Sequence, residues 1–305
     1  MRDAFTRVLN ELARQDKNLY LVTGDLGFGV LRAFSQDFPD RFINAGIAEQ
    51  MMTGMAAGMA LEGKTVFTYS IGNFPTLRCI EQIRNDCAYH EANVKIVCVG
   101  GGFVYGSLGM SHHATEDVAL LRALPGVCVM SPGDKWEAEA ATRAVYAHKG
   151  TCYLRLGRGG EPEVHSGPIQ DFQVGRALTL YGDGDVALLS SGGILAEAKR
   201  AADALRGEGV GVSLYSFPCV KPIDTALIAR LTRSCRHIFT VEEHTIVGGF
   251  GSAVCEAAAS LSARCAVTRI GMNDCYSSIV GTQDYLREQY GMSAAKIAQA
   301  VRENL

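Results

Sequence analysis

The sequence predicts an α/β protein of two consecutive doubly wound domains, and three observations carry that expectation. Short apolar runs alternate with longer segments whose apolar residues recur at helical spacing. Glycines punctuate the ends of the apolar runs, as at Gly24, Gly100 and Gly157. The alternation breaks once, in a polar stretch with glycine and proline from 157 to about 174, and resumes after Gly182-Asp-Gly-Asp185. A chain of 305 residues, 48% apolar and 20% charged, is long enough for two such cores.

The first unit opens with a helix over 4–14, whose apolar positions line one face, and a buried strand over 19–24. Extended segments follow at 41–45, 64–70, 94–99, 126–130 and 151–155. Helical patterns lie at 48–61, 76–90, 115–123 and 134–147. Strands separated by helices of this length imply a mostly parallel sheet covered on both faces. In the second unit strands are expected at 186–190, 210–215, 237–241 and 266–270, with helices at 194–207, 223–232, 249–262 and 293–303. The expected domains are 1–160 and 185–305, joined by a linker at 161–184.

Composition excludes several classes of function. The 29 Lys and Arg against 32 Asp and Glu give a net charge of −3, without the basic excess that nucleic acid or an anionic membrane requires. No apolar stretch is long enough to span a bilayer, and the first residues, Met1-Arg-Asp-Ala-Phe5, lack a signal-peptide core. The 10 cysteines show no CxxC spacing, and several sit in apolar runs, as Cys98 does, where they read as small buried hydrophobes. A cytoplasmic protein with reduced thiols is expected.

The glycine clusters near 27, 100 and 248 miss the dinucleotide fingerprint, and no phosphate-binding P-loop occurs. Gly182-Asp-Gly184 resembles the start of a Mg²⁺-diphosphate motif, but no Asn follows at the required distance, so it reads as a turn.

Chemistry concentrates in four places. Glu49 stands in the first turn of a small-residue helix containing Gly54 and Gly58, where it either complements the helix dipole or serves as a desolvated functional carboxylate. That helix is expected to pack closely, against another subunit. Phe67, Tyr69 and Phe74 occupy a strand end and its loop, suited to core packing or to stacking a heteroaromatic ring. His112 and His113 lie in a glycine-rich loop before Thr115-Glu116-Asp117, where Thr115 can cap the next helix. Proton transfer ranks ahead of metal ligation for these histidines. Arg155 and Arg158 close the last strand of the first unit and suit a phosphate, a carboxylate or an interdomain ion pair.

Taken together and in this order, these clusters resemble the C-terminal part of transketolase-like thiamine diphosphate enzymes, over nearly the whole chain. Asn44-Ala-Gly-Ile-Ala-Glu49-Gln looks like the family's pyrimidine-domain motif, and Gly109-Met-Ser-His112 is similar to its Gly-Pro-Thr-His loop. Glu242-Glu-His-Thr and Gly248-Gly-Phe-Gly-Ser-Ala resemble the start of its C-terminal domain. The match is nearest to the separately encoded C-terminal subunit of a split transketolase.

The resemblance implies that Glu49 bonds N1′ of the cofactor's aminopyrimidine and promotes its activation for ketol transfer. It implies stacking by Phe74 and Tyr69 with Phe67, and an acidic contribution from Asp25 near cofactor and dimer interface. His112, with His113 nearby, would assist proton transfers on substrate oxygens, and Arg7, Arg155 and Arg158 would meet substrate. A sugar or sugar-phosphate substrate and a partner subunit holding the diphosphate and Mg²⁺ in an α₂β₂ assembly follow, with no metal on this chain. Leu108 stands where the family keeps an Asp that reads a sugar hydroxyl, which leaves donor and acceptor open. The rival readings are the beta subunit of a 2-oxo-acid dehydrogenase, a 1-deoxyxylulose-phosphate-synthase-like enzyme, and a non-catalytic structural subunit. The doubled histidine favours the transketolase side over the dehydrogenase.

Overall fold

The computed structural model describes residues 1–261 and 265–305. The first sheet takes β1 (Leu19–Thr23), β2 (Phe42–Asn44), β3 (Thr65–Ile71), β4 (Val94–Val99), β5 (Cys128–Met130) and β6 (Cys152–Leu156). Its helices are α1 (Arg2–Gln15), α2 (Arg32–Asp37), α3 (Glu49–Leu61), the short α4 (Ile80–Gln82), α5 (Asp117–Ala123) and α6 (Lys135–Ala147). The second sheet takes β7 (Leu178–Tyr181), β8 (Val186–Ser191), β9 (Val212–Ser216), β11 (His237–Thr245) and β12 (Ala266–Met272). It is covered by α7 (Leu195–Gly207), α8 (Thr225–Ser234), α9 (Phe250–Ala259), α10 (Gln283–Gln289) and α11 (Ala294–Glu303).

With β10 (Cys219–Lys221) as a seventh strand of the first sheet, the orders are β10-β5-β6-β4-β3-β1-β2 and β12-β11-β8-β9-β7. All pairings are parallel except at one edge of each sheet, β10 on β5 and β7 on β9. Those two edge strands escape a pattern-based reading because each is short and flanked by turn residues. β10 returns from the second unit to complete the first sheet, and β7 falls inside the expected linker. The Gly182–Gly184 triplet is the turn between β7 and β8. A Cβ on Gly184 would sit 2.2 Å from the Gly211 carbonyl, so only glycine permits that approach.

Four further differences have physical reasons. The segment expected as one helix over 76–90 is a 3₁₀ turn (Leu77–Cys79), then α4, then a π-helix (Ile83–Ala88). Its buried residues Cys79, Ile83 and Cys87 recur every four positions, a spacing that a widened turn keeps on one face. Thr115 does not cap α5: Glu116 occupies the cap position without a side-chain cap bond. β11 runs four residues past its expected end, because the charged tail Glu242-Glu243-His244 is buried and fully engaged. That motif therefore lies in the middle of the second unit, not at its start. Finally, α9 ends at Ala259, and the last residue of the expected helix, 262, lies outside the described residues.

Apolar packing joins the two units. One side of the first sheet packs α1 and α6 through Phe5, Val8 and Ala141; the other packs α3 and α5 through Met52, Ala56 and Leu121. The second of these cores continues into Leu189, Phe217 and Phe250 of the second unit. Phe103, from the loop after β4, is buried in the core between β8 and α11.

Candidate active site

The sheet order sets the carboxyl ends of β6, β4, β3, β1 and β2 side by side, where open α/β sheets bind ligands. After β1, Asp25 adopts a φ of 55°, a left-handed conformation that Asp tolerates better than most residues. Its carboxylate accepts from Asn44 Nδ2 at 2.8 Å, while Asn44 Oδ1 accepts from the Asp25 and Gly46 amides at 3.0 Å. This reciprocal pair fixes the turn that carries the chain from β2 into α3.

Glu49 is the first residue of α3 and is 3% exposed. Its Oε2 accepts from Arg78 Nη1 at 2.8 Å, and Oε1 accepts no hydrogen bond among the described residues. The Arg78 guanidinium also lies 4.9 Å from the centre of the Phe74 ring, so one cation serves a carboxylate and an aromatic face. Phe74 in turn meets His112 edge-on at 5.2 Å. Gly72 makes that approach possible, since its φ is 43° and a Cβ there would stand 3.3 Å from the His112 carbonyl. Glu49, Arg78, Phe74 and His112 form one continuous series of contacts across three strand ends.

His112 Nδ1 pairs with Ser111 Oγ at 3.0 Å, leaving Nε2 without a hydrogen bond among the described residues. Burial, reinforced by neighbouring His113, lowers its pKa, so the ring is neutral at physiological pH and able to take a proton. Arg158 is exposed and stands 5.9 Å from the Tyr105 ring, which lies 6.5 Å from His112. It lines an interdomain cleft of 410 Å³ together with Glu161, Arg200 and Arg287.

Other residues singled out in the sequence lie elsewhere. Phe67 and Tyr69 point to the α1 side of the sheet, 6.1 and 6.0 Å from Phe5, opposite the face that α3 covers. They are core residues and form no surface beside Glu49. Arg7 is on α1, paired with Glu11 at 2.6 Å and Glu139 at 2.5 Å. Arg155 is buried: Nε donates to Asp117 Oδ2 at 2.8 Å, and Nη2 donates to the Ala114 and Glu243 carbonyls at 2.7 and 3.0 Å. It is a buried internal tie between the units, and of its nitrogens only Nη1 makes no hydrogen bond among the described residues. His113 is also buried, held by Ser277 and by the Gly106 carbonyl.

Arg78 and Asn44 were not marked as site residues by sequence. Arg78 lies 29 positions from Glu49, and the packing of α3 on β3 and on the 3₁₀ turn after it unites them. The fold also gathers Cys128, His148 and Cys152, whose ligand atoms lie within 4.8 Å of one another. Buried Lys95 already donates to the His148 and Gly150 carbonyls at 2.7 Å and lies 3.6 Å from Cys152 Sγ. The Lys95 ammonium so close to Cys152 Sγ opposes a second cation at the same sulfur. The cluster is a poor metal site.

The donor set beside Glu49 suits a flat heteroaromatic base: a buried carboxylate with one oxygen free, an aromatic ring and a neutral imidazole. Residues 1–161 match the transketolase pyrimidine-binding domain, and residues 175–297 match the transketolase C-terminal domain. A putative transketolase C-terminal section of Methanocaldococcus jannaschii is 36% identical, over 100% of this chain and 96% of its own. The 6-deoxy-6-sulfo-D-fructose transketolase subunit SqwH of a Clostridium species is 36% identical, over 99% of this chain and 94% of its own. A solved structure described as a split gene transketolase, inactive beta4 tetramer, superposes with a TM-score of 0.88 at 35% identity, over 99% of this chain and 96% of that one. The chain belongs to the transketolase family and carries its pyrimidine-binding and C-terminal domains.

Proposed function

We propose that this chain is the beta subunit of a split, thiamine-diphosphate-dependent transketolase that moves a two-carbon ketol unit from a ketose to an aldose. The observation that carries the reading is Glu49: a buried carboxylate at a strand end, one oxygen held by Arg78 and the other free, with Phe74 alongside. The cofactor, when bound, supplies a nucleophilic carbon for attack on the ketose carbonyl. Glu49 would hold a proton at an aminopyrimidine ring nitrogen, and Phe74 would pack against that ring. Arg78 compensates the burial of the carboxylate and orients it. His112, neutral and with Nε2 free, exchanges protons with substrate hydroxyl and carbonyl oxygens. Arg158, exposed at the cleft, meets the anionic end of the substrate.

The diphosphate and Mg²⁺ site belongs, in this reading, to an N-terminal partner subunit, and the active species is α₂β₂. The outer face of α3 supports an assembly. Gly58 is exposed there, two turns along from Met51, which is 66% exposed, and Ile47, which is 79% exposed, precedes the helix. Small residues on such a face let a second helix approach closely.

The test is reconstitution with a diphosphate-binding subunit, assayed with xylulose 5-phosphate, other ketose donors and pyruvate. Ketol transfer from a ketose is expected; turnover of pyruvate alone would move the reading to a 2-oxo-acid enzyme. Glu49→Gln should assemble normally and lose about 10²–10⁴-fold in kcat, the range typical of general acid–base groups. A near-normal rate would remove Glu49 from the chemistry.

A further inference from the structure

The loop from Phe103 to His113 carries His112, and the second unit grips it at its start, its middle and its end. At its start, the Phe103 amide donates to Glu243 Oε1 at 2.6 Å, and the Phe103 ring stacks on Tyr290 at 5.3 Å. In its middle, the Gly106 carbonyl accepts from the Gly281 amide at 3.3 Å. A Cβ on Gly106 would collide with the Gly281 carbonyl at 2.6 Å, so glycine is what lets the two backbones meet. At its end, His113 is fixed from both sides. The Gly106 carbonyl can only accept, so Nε2 carries a proton and, in the neutral ring, Nδ1 accepts from the Ser277 hydroxyl.

Beyond the loop, the Thr245 amide donates to the Thr115 carbonyl at 2.9 Å, and Arg155 joins the Ala114 and Glu243 carbonyls. Glu243 is itself locked, accepting from Arg287 Nε at 2.8 Å and from Gln283 Nε2 at 2.9 Å. The first unit contributes Asn73, whose Nδ2 donates to the Ser111 and His113 carbonyls at 3.3 and 2.9 Å, and Phe74, which meets His112 edge-on.

We propose that the C-terminal domain serves as a clamp on this loop, with Ser277 and Glu243 as positioning residues that aim His112 at Phe74 and the substrate cleft. The proposal rests on the reading of His112 as a substrate-facing residue, but its test does not depend on turnover. Ser277→Ala removes one hydroxyl and one hydrogen bond to His113. Amide hydrogen exchange over residues 105–113 of the full chain should quicken about tenfold, the effect of one lost buried hydrogen bond, while β8 and α11 stay protected. The His112 imidazole titration, followed by NMR and assigned with His112→Asn, should move up towards the ordinary histidine value as the ring gains water. Ser277→Thr, which keeps the hydroxyl, should restore both readouts.

Unchanged loop exchange and an unchanged His112 titration in a folded Ser277→Ala chain would overturn the clamp, since the loop would then hold its own shape. Loosening and a shifted titration, with full turnover in the reconstituted enzyme, would uphold the clamp and instead remove His112 from the chemistry. Loosening together with a lower kcat and an unchanged KM supports both.

Discussion

Replacing Arg155 with Met isolates the cost of a buried charge at the domain junction. Arg155 and Asp117 have side chains 6% and 0% exposed, so neither ion can turn to water when the other is removed. Burial pushes the Asp117 carboxyl up, but the charge of Arg155, with His244 and a hydrogen bond from Tyr153, outweighs it and leaves the group below its ordinary value. Arg155→Met keeps much of the side-chain volume and removes the charge. Breaking one side of a buried pair costs about 3–5 kcal/mol. With a urea m-value of about 2–3 kcal/mol/M, the unfolding midpoint should fall by roughly 1–2.5 M.

The assay is urea unfolding of the full chain, read from far-UV circular dichroism and from the fluorescence of Trp136, the sole tryptophan, which sits on α6. The sign of the pH dependence follows from the lowered pKa. Stability drawn from ionised Asp117 is present above its unfolded pKa near 3.8 and lost as pH falls through the folded value. In the variant the unpaired carboxyl takes up a proton more readily, so the deficit against the parent should be largest near pH 8 and shrink towards pH 5. A deficit below about 1 kcal/mol, or one equal at both pH values, would refute the buried-pair reasoning. A variant of normal stability but raised KM would return Arg155 to the substrate.

Two further outcomes are expected. Phe67→Ala should cost about 3–5 kcal/mol in unfolding free energy while leaving the apparent affinity of the reconstituted enzyme for cofactor unchanged, because Phe67 faces α1; a selective loss of cofactor affinity would contradict its placement. Glu137, buried at the start of α6, has its pKa pushed up to about 7 by burial, so its contribution to stability is full below about pH 4.5 and lost as pH rises through 7. Glu137→Gln should therefore gain about 1–3 kcal/mol over the parent at pH 8 and little at pH 5, measured by the same urea titrations.

What the sequence determined by itself is local. The alternation of short apolar runs and amphipathic helices specifies two α/β units, because periods of 2 and 3.6 are properties of the chain. Glu49 at the entrance of a small-residue helix, and His112 in a glycine-rich loop, were legible for the same reason: each depends on its immediate neighbours. Tertiary structure decided the rest. Phe67 and Tyr69 share one face of β3, but a parallel strand covered on both sides is apolar throughout, so nothing in its pattern says which face meets α1 and which meets α3. Arg155 and Arg158 stand three positions apart in similar company. One is buried on Asp117 and the other is exposed at a cleft, because β6 ends between them. Likewise adjacent His112 and His113 part company only when Ser277, 164 positions beyond His113, arrives to hold the second and leave the first free. Such partners are set by the order of strands and the docking of one domain on the other, and those are long-range consequences of packing.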